Sequence, residues 1–314
     1  MRVNVPGKVF IMGEYTVIDR QTGALIAPTK ARLSVTITQS DVWQYESALD
    51  GFFKAHSWDV FSTQMPSKII RSVLPYIQSI DRNNQLITPF RLRIDSQLDD
   101  GKVPYGLGSS GALRAGVIKA FFAYFNMPLD ALLIFQMAAL SSASETSSYG
   151  DLAVSSFDQA IHYQKPKTLD PLSHMVVDPV GLPPFIIVHT GLKVSSTPFI
   201  KRYMANRDDP FIQTYKDQIN DALEGFKEAS ISDQLARIKA SHIAYLQMSE
   251  TLDPSMVPDH FIPIFTAIEA TGGTPKVSGA GGGDTILAFY PDPRTLENAQ
   301  AQLSMHYPLF LSAR

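Results

Sequence analysis

The sequence contains no cysteine among its 314 residues. Disulfides, thiolate catalysis and metal ligation through sulfur are therefore excluded, and the chain fits a reducing compartment. Long apolar runs are also absent, which argues against a transmembrane helix. The first residues, from Met1 to Pro6, lack the layout of a secretory signal peptide. Together these absences predict a soluble cytoplasmic protein.

A large excess of charge of either sign is missing as well. Lysine and arginine number 27 against 30 aspartates and glutamates, which gives a net charge of −3. Such a balance offers no overall attraction to nucleic acid or to an anionic membrane, so we expect neither as a partner. Hydrophobic residues make up 45% of the chain, and its length suits two closely packed domains. Any site for a polyanion must therefore be local.

Apolar periodicity predicts strands and helices that mix without regular alternation, which favours an α+β fold. We expect strands at 3–15, interrupted by a turn at Pro6-Gly7 that contains Lys8, and at 32–38, 90–94, 185–188 and 285–290. Helical spacing covers 69–77, 113–121, 130–143, 209–229, 232–250 and 257–270. Proline-rich segments at 165–171 and 178–184 place a domain boundary, giving domains 1–170 and 171–314.

Three glycines and two serines are concentrated between Pro104 and Leu113, just before a predicted helix. Glycines let a ligand approach the backbone, and the first N–H groups of a helix point toward an anion. The segment therefore predicts a phosphate-binding loop, although a tight turn explains the same composition. The lysine that ends a Walker A loop is missing, because Ser109-Ser110-Gly111 stands there. A cation must come from elsewhere in the chain.

Two charged residues outside this loop are candidates for chemistry. Lys8 lies within an apolar strand segment, where the alternative is an edge-strand lysine whose amine reaches solvent. Asp151 follows a glycine at the start of a helix, where the alternative is an ordinary N-cap. If the Lys8 cation lies beside Asp151, we expect it to lower the pKa of that carboxyl group.

A second glycine-rich segment runs from Lys276 to Asp284 and has four glycines in five consecutive positions. Such density is costly in chain entropy and is typical of a backbone that closely approaches a ligand or another loop. A long glycine hairpin is the alternative. We expect this segment to face the first glycine loop across an interdomain cleft.

These segments, in this order, resemble the three signature motifs of the GHMP kinase superfamily. They are Pro6-Gly7-Lys8 with Gly13-Glu14, Gly106-Leu107-Gly108-Ser109-Ser110, and Ser278-Gly279-Ala280-Gly281-Gly282-Gly283-Asp284. The resemblance implies an N-terminal domain like the second domain of ribosomal protein S5, a ferredoxin-like C-terminal domain, and ATP with Mg²⁺ between them. It also implies transfer of the γ-phosphoryl group to a small molecule.

Three further segments are Gly13-Glu14-Tyr15-Thr16-Val17, Tyr149-Gly150-Asp151-Leu152-Ala153, and Gly191 with Ser195-Ser196-Thr197. Within the superfamily, they look most like the branch that phosphorylates phosphomevalonate in the bacterial mevalonate pathway. Mevalonate or another small molecule remains an alternative acceptor, and an inactive nucleotide-binding regulator or a decarboxylase remains an alternative activity. Two departures from the family pattern make the resemblance less specific for acceptor binding than for ATP binding. Ser147 replaces a family glycine, and Lys102 is displaced from Tyr105, the aromatic residue of the glycine loop.

The resemblance also assigns roles to individual residues. Lys8 and Asp151 are the implied catalytic residues, and Ser110 is the implied Mg²⁺ ligand. The implied ATP-binding residues are Gly106, Leu107, Gly108, Ser109, Ser110 and Gly111. Those implied for the acceptor are Lys102, Ser148, Ser195, Ser196, Thr197, Ser278, Gly279, Ala280, Gly281 and Gly282. Further candidate cations are Lys193, Lys201 and Arg202, for which ordinary surface charge is the alternative.

Overall fold

A computed structural model describes residues 1–19, 22–99, 105–142, 147–169, 172–173, 175–192, 194–283 and 285–311. The strands are β1 (Arg2–Met12), β2 (Ala24–Gln39), β3 (Trp43–Ser47), β4 (Gly51–Ala55), β5 (Phe90–Ser96), β6 (Ile161–Gln164), β7 (Thr168–Leu169), β8 (Leu172–Ser173), β9 (Val176–Pro179), β10 (Phe185–His189), β11 (Thr274–Ser278), β12 (Thr285–Phe289) and β13 (Leu309–Leu311). The α-helices are α1 (Trp58–Gln64), α2 (Lys68–Ile80), α3 (Ser109–Tyr124), α4 (Ala131–Ser142), α5 (Gly150–Phe157), α6 (Thr197–Ala205), α7 (Pro210–Leu223), α8 (Ile231–Leu252), α9 (Phe261–Ala270) and α10 (Pro293–Leu303). The expected α+β class is confirmed.

One compact unit comprises Met1–Lys8, Ala31–Asp158 and Thr168–Ser173. Its strands lie in the order β4-β3-β5-β2, with β2 and β5 antiparallel and β3 and β5 parallel. Helix α3 packs against α2, α4 and α5. It is apolar on nearly all sides because it is surrounded by these helices, and its residues 115–118 are all buried.

The other unit comprises Val9–Lys30, Gln159–Lys167 and His174–Arg314. An antiparallel sheet in the order β11-β12-β10-β13 forms its centre. The strands β10 and β12 are buried almost throughout, which explains their nearly continuous apolar sequence. Helix α8 packs against α7 and β11. In the same unit, β6 pairs with the start of β2 and with β9.

The turn predicted at Pro6-Gly7 is wrong. Both residues and Lys8 lie inside the continuous strand β1, which pairs with β2. The pairing prevails over the local turn signal, and Pro6 still contributes its carbonyl oxygen, which accepts a hydrogen bond from Ser155 Oγ at 3.1 Å. The short strands β3, β4, β6 to β9, β11 and β13 were not predicted from the sequence. No described helix combines the length and the apolar composition that a bilayer crossing requires.

Candidate active site

The first glycine loop leads into an uncapped helix N-terminus. Gly108 is the N-cap of α3 with φ of 75° and ψ of 35°, a left-handed conformation that favours glycine. Gly108 has no side chain that could cap the first turn of α3. The first N–H groups of a helix have no partner within the helix, so this end of α3 is suited to an anion, and the phosphate-binding role stays a prediction.

Lys8 lies directly against this loop. Its backbone N–H donates to the carbonyl oxygen of Leu107 at 2.8 Å, which joins β1 to the loop. A Cβ atom built on Gly108 would lie 2.8 Å from Lys8 Cγ and 3.2 Å from Lys8 Cε. The loop therefore needs glycine at position 108, because the Lys8 side chain occupies the space that a Cβ would take. This contact does not agree with the alternative of an edge-strand lysine whose amine only reaches solvent.

Asp151 reaches the same loop from α5. The N-cap of α5 is Tyr149, with a positive φ of 58°, so Asp151 lies in the first turn of the helix and is not its N-cap. A Cβ atom on Gly111 would lie 2.4 Å from Asp151 Oδ2, and one on Gly108 would lie 3.4 Å from Asp151 Cβ. Lys8 and Asp151 therefore meet at the loop, each in space that a glycine leaves open.

Burial raises the pKa of Asp151. The Lys8 cation and the backbone N–H groups of Leu152 and of Asp151 itself act in the opposite direction, but they do not outweigh the loss of hydration. The lowered pKa that the sequence predicts is therefore wrong, because that argument considered the neighbouring cation and not the loss of water. A raised pKa makes Asp151 a better proton acceptor.

Arg114 is a further cation near Asp151 that sequence reasoning missed. It lies on α3, is half-buried, and favours the ionised form of Asp151. Its Nη1 donates to Ser72 Oγ at 2.7 Å and to the carbonyl oxygen of Ser141 at 2.9 Å. The signal available in the sequence is a single arginine between apolar residues of the predicted helix 113–121.

The second glycine loop, residues 278–283, is fixed within its own unit. Ser278 Oγ accepts a hydrogen bond from the backbone N–H of Phe10 at 3.1 Å. The hydroxyl of Tyr15 donates to the carbonyl oxygen of Ala280 at 2.6 Å. Residues just after the Pro6-Gly7-Lys8 motif thus hold the start of this loop.

Three glycines of this loop are required by internal packing. A Cβ on Gly281 would lie 2.3 Å from the hydroxyl of Tyr245 and 2.4 Å from the carbonyl oxygen of Met256. Cβ atoms on Gly282 and Gly283 would similarly crowd the Phe199 ring, Val194 and the Leu192 carbonyl oxygen. A Cβ on Gly279, by contrast, would meet nothing within 4 Å. Gly279 is therefore the position of the loop where the space is open, although its φ of 77° still favours glycine.

A buried ion pair lies at the base of this loop. Lys276 Nζ donates to Glu14 Oε1 and to the carbonyl oxygen of Val277, both at 2.5 Å, and lies 5.1 Å from the centre of the Tyr245 ring. Both charged side chains are essentially inaccessible to water. Burial lowers the pKa of Lys276, and the Glu14 carboxylate opposes this shift. Because loss of one partner would leave a buried charge, the pair fixes β11 relative to Glu14.

The remaining predicted residues have less restricted surroundings. Ser148 is half-buried, and its Oγ accepts a hydrogen bond from the backbone N–H of Gly150 at 3.3 Å. Ser195, Ser196 and Thr197 are exposed near the start of α6. Lys201 is exposed too, and Arg202 forms an ion pair with Asp253 at 2.5 Å. Lys102 and Lys193 lie outside the described residues. The acceptor role of all these residues stays a prediction.

Two family models match parts of the chain. Residues 68–159 match the family model for the GHMP kinases N terminal domain, and residues 256–309 match the one for GHMP kinases C terminal. A curated relative, the phosphomevalonate kinase of Streptomyces sp. (strain CL190), is 24% identical over 338 aligned residues that cover 91% of this chain and 88% of the relative.

Solved structures show the same fold. Streptococcus pneumoniae phosphomevalonate kinase in complex with phosphomevalonate and AMPPNP superposes with a TM-score of 0.79 at 21% identity, covering 99% of this chain and 98% of that one. Methanococcus jannaschii mevalonate kinase superposes with a TM-score of 0.77 at 16% identity, covering 100% and 98%. The predicted boundary at residue 170 stays a prediction. The chain matches both the N-terminal and the C-terminal family models of the GHMP kinases and has their two-domain fold.

Proposed function

We propose that the protein transfers the γ-phosphoryl group of ATP to phosphomevalonate, giving diphosphomevalonate and ADP. The observation that carries the proposal is that Lys8 and Asp151 converge on the glycine loop at an uncapped helix N-terminus. The Streptomyces relative is named as a phosphomevalonate kinase, and the Streptococcus structure holds phosphomevalonate and AMPPNP. Phosphoryl transfer depends mainly on positioning and charge neutralisation, which this arrangement supplies.

ATP would bind through the loop from Gly106 to Gly111. The first N–H groups of α3, which have no partner within the helix, would hold phosphate oxygens, and the helix dipole would favour their negative charge. The side chain of Ser109 would donate to a phosphate oxygen. Lys8 would lie over the transferred group, since its side chain crosses the loop at Gly108.

The described residues fit Mg²⁺ that is bound mostly through phosphates. They contain no cluster of three histidines and acidic residues that could hold the ion alone. Mg²⁺ usually keeps several waters and takes one or two protein oxygens together with substrate phosphates. Ser110 is exposed beside the loop, and its hydroxyl would serve as such a ligand. The ion would supply positive charge that neutralises the phosphate groups.

Asp151 would hold Lys8 in position rather than remove a proton. A phosphomonoester has a second pKa of about 6 and is mostly dianionic near neutral pH, so it needs no general base. Orientation of Lys8 by a neighbouring carboxylate is consistent with the contact of both side chains with Gly108. The loss caused by removal of Asp151 would then be a loss of orientation.

Further contacts with the acceptor are expected from the segments that the family resemblance indicates. These are Ser148, Ser195 to Thr197 and the second glycine loop. Within that loop, Gly279 and Ala280 are the more accessible residues, because Gly281 and Gly283 are buried in their own unit. We expect Gly279 and Ala280 to carry the acceptor contacts of this loop.

Mevalonate kinase is the second candidate function. The raised pKa of Asp151 favours it, because an alcohol acceptor must lose a proton and a carboxylate with a raised pKa accepts one more readily. The similarity to Methanococcus jannaschii mevalonate kinase supports the same alternative. The two functions differ in whether the acceptor already carries a phosphate.

An ADP-release assay with mevalonate and phosphomevalonate side by side tests the proposal. We expect ATP- and Mg²⁺-dependent ADP release with phosphomevalonate, formation of diphosphomevalonate in equal amount, and little turnover of mevalonate. Preference for mevalonate would identify a mevalonate kinase. ATP binding without turnover of either compound would indicate a nucleotide-binding regulator, and release of phosphate with carbon dioxide from a diphosphorylated substrate would indicate a decarboxylase.

A further inference from the structure

Arg114 is placed beside the centre of the proposed site by helix geometry. It follows Gly111 by three residues on α3, so the two positions lie on the same helix face about 5–6 Å apart. The Asp151 carboxylate occupies the space that Gly111 leaves open. Arg114 therefore projects from the same face of α3 that Asp151 contacts.

The orientation of Arg114 is fixed by hydrogen bonds from one of its nitrogens, Nη1, to three oxygen atoms. Its Nη1 donates to Ser72 Oγ at 2.7 Å, to the carbonyl oxygen of Ser141 at 2.9 Å and to Ser141 Oγ at 3.1 Å. The hydroxyl protons point elsewhere, since Ser72 Oγ donates to the carbonyl oxygen of Ile69 and Ser141 Oγ donates to that of Ala138. Both hydroxyls therefore act as acceptors that hold the guanidinium group.

These three partners are neutral, so they do not compensate the charge of Arg114. Among the described residues, no carboxylate lies within ion-pair distance of it, and its Nη2 and Nε have no hydrogen-bond partner. Burial lowers the pKa of Arg114 and the Asp151 carboxylate opposes this shift, but an arginine in a protein remains charged. A half-buried cation with neutral partners costs free energy, which points to a use for its charge.

We propose that Arg114 binds the phosphate of a phosphomonoester acceptor through its Nη2 and Nε atoms. The proposal rests on the proposed function. The planar guanidinium fork matches the oxygens of a phosphate group, and charge-assisted hydrogen bonds of this kind are about twice as strong as neutral ones. Lys8 and Arg114 then place two positive charges beside the single negative charge of Asp151. This excess of positive charge reduces the repulsion between two polyanionic substrates.

Ligand binding to the full-length chain tests the proposal without relying on turnover. Calorimetry would give the dissociation constants of phosphomevalonate, mevalonate and ATP for the wild type, Arg114→Gln and Arg114→Lys. Mevalonate carries a carboxylate but no phosphate, so it separates the two anionic groups of the acceptor. Lys119→Gln is the matched control, because Lys119 is a half-buried cation on the same helix whose Nζ donates to a neutral carbonyl oxygen, that of Ser155.

We expect Arg114→Gln to weaken phosphomevalonate binding about 10–100-fold, the effect of losing a charged hydrogen bond. Binding of mevalonate and ATP should change less than twofold, and Arg114→Lys should fall between Arg114→Gln and the wild type. Lys119→Gln should leave all three constants unchanged. If Arg114→Gln does not fold, the binding constants of Arg114→Lys test the proposal, because lysine retains the positive charge but lacks the planar guanidinium group.

Equal weakening of mevalonate and phosphomevalonate would overturn the proposal, since Arg114 would then bind the carboxylate or act through the fold. Weaker ATP binding alone, or a lower Tm with unchanged binding, would overturn it as well. If the wild type prefers phosphomevalonate and Arg114→Gln retains that preference, only the role of Arg114 fails. If the wild type itself shows no preference for phosphomevalonate, the proposed function fails together with it.

Discussion

The two glycine-rich loops of this protein are similar in composition, but different neighbouring groups make glycine necessary in each. In the first loop, Gly108 and Gly111 leave space for the charged side chains of Lys8 and Asp151. In the second, Gly281 leaves space for a tyrosine hydroxyl and a backbone carbonyl of its own unit. Glycine density therefore indicates close approach, but the neighbouring atoms decide whether the approach serves chemistry or packing.

The comparison predicts that substitution in the second loop mainly affects stability. Gly281→Ala places a Cβ 2.4 Å from the carbonyl oxygen of Met256 and forces alanine to a φ of 79°. We expect the free energy of unfolding to fall by about 2–5 kcal/mol, from overpacking and left-handed strain together. Urea denaturation measures this.

Gly279→Ala is the control for that experiment. Its φ of 77° is similar, but its Cβ would have no neighbour within 4 Å. We expect a loss of only about 1–2 kcal/mol, the strain alone. Equal losses for Gly279→Ala and Gly281→Ala would show that packing is not the reason for glycine at position 281.

Substitution in the first loop should mainly affect turnover. Gly111→Ala places a Cβ 2.4 Å from Asp151 Oδ2, so the carboxylate must move, whereas alanine suits the helix better than glycine. We expect kcat to fall about 10²-fold, as for a catalytic group displaced by about 1 Å. Gly116→Ala, on the same helix and 3.0 Å from methyl groups of Val35 and Val5, should lower Tm with little change in kcat. A large effect of Gly116→Ala on kcat would contradict the expectation that kcat responds specifically to the contact between Gly111 and Asp151.

The smallest expected effect concerns the pH dependence of stability. The pKa of Asp151 is raised in the folded protein, so the native state binds its proton more tightly than the unfolded chain does. Ionised Asp151 therefore costs stability at pH values above its unfolded pKa of about 4. We expect Asp151→Asn to have a higher Tm than the wild type near neutral pH and the same Tm below about pH 4. Thermal unfolding between pH 3 and 8 measures the difference, and a lower Tm of the variant at neutral pH would contradict the expectation.

Local sequence patterns were sufficient for most helices, for the half-buried strand β2 and for the residues of the first loop. Local patterns failed where contacts with segments distant in sequence determine the structure or the pKa. Pro6-Gly7 has a turn signal, but pairing of β1 with β2 prevails. The pKa of Asp151 depends on its burial, which no motif shows. Arg114 was missed because the atoms that hold it belong to two other helices, α2 and α4.

The central claim is that Lys8 and Asp151 act as one unit on the first glycine loop. A double-mutant cycle with Lys8→Met, Asp151→Asn and the double variant, followed by ADP release at saturating substrates, tests it most directly. We expect both single variants to lose turnover to a similar extent, about 10²–10⁴-fold, and the double variant to lose little more. Losses that multiply in the double variant would contradict the claim, because the two residues would then act independently.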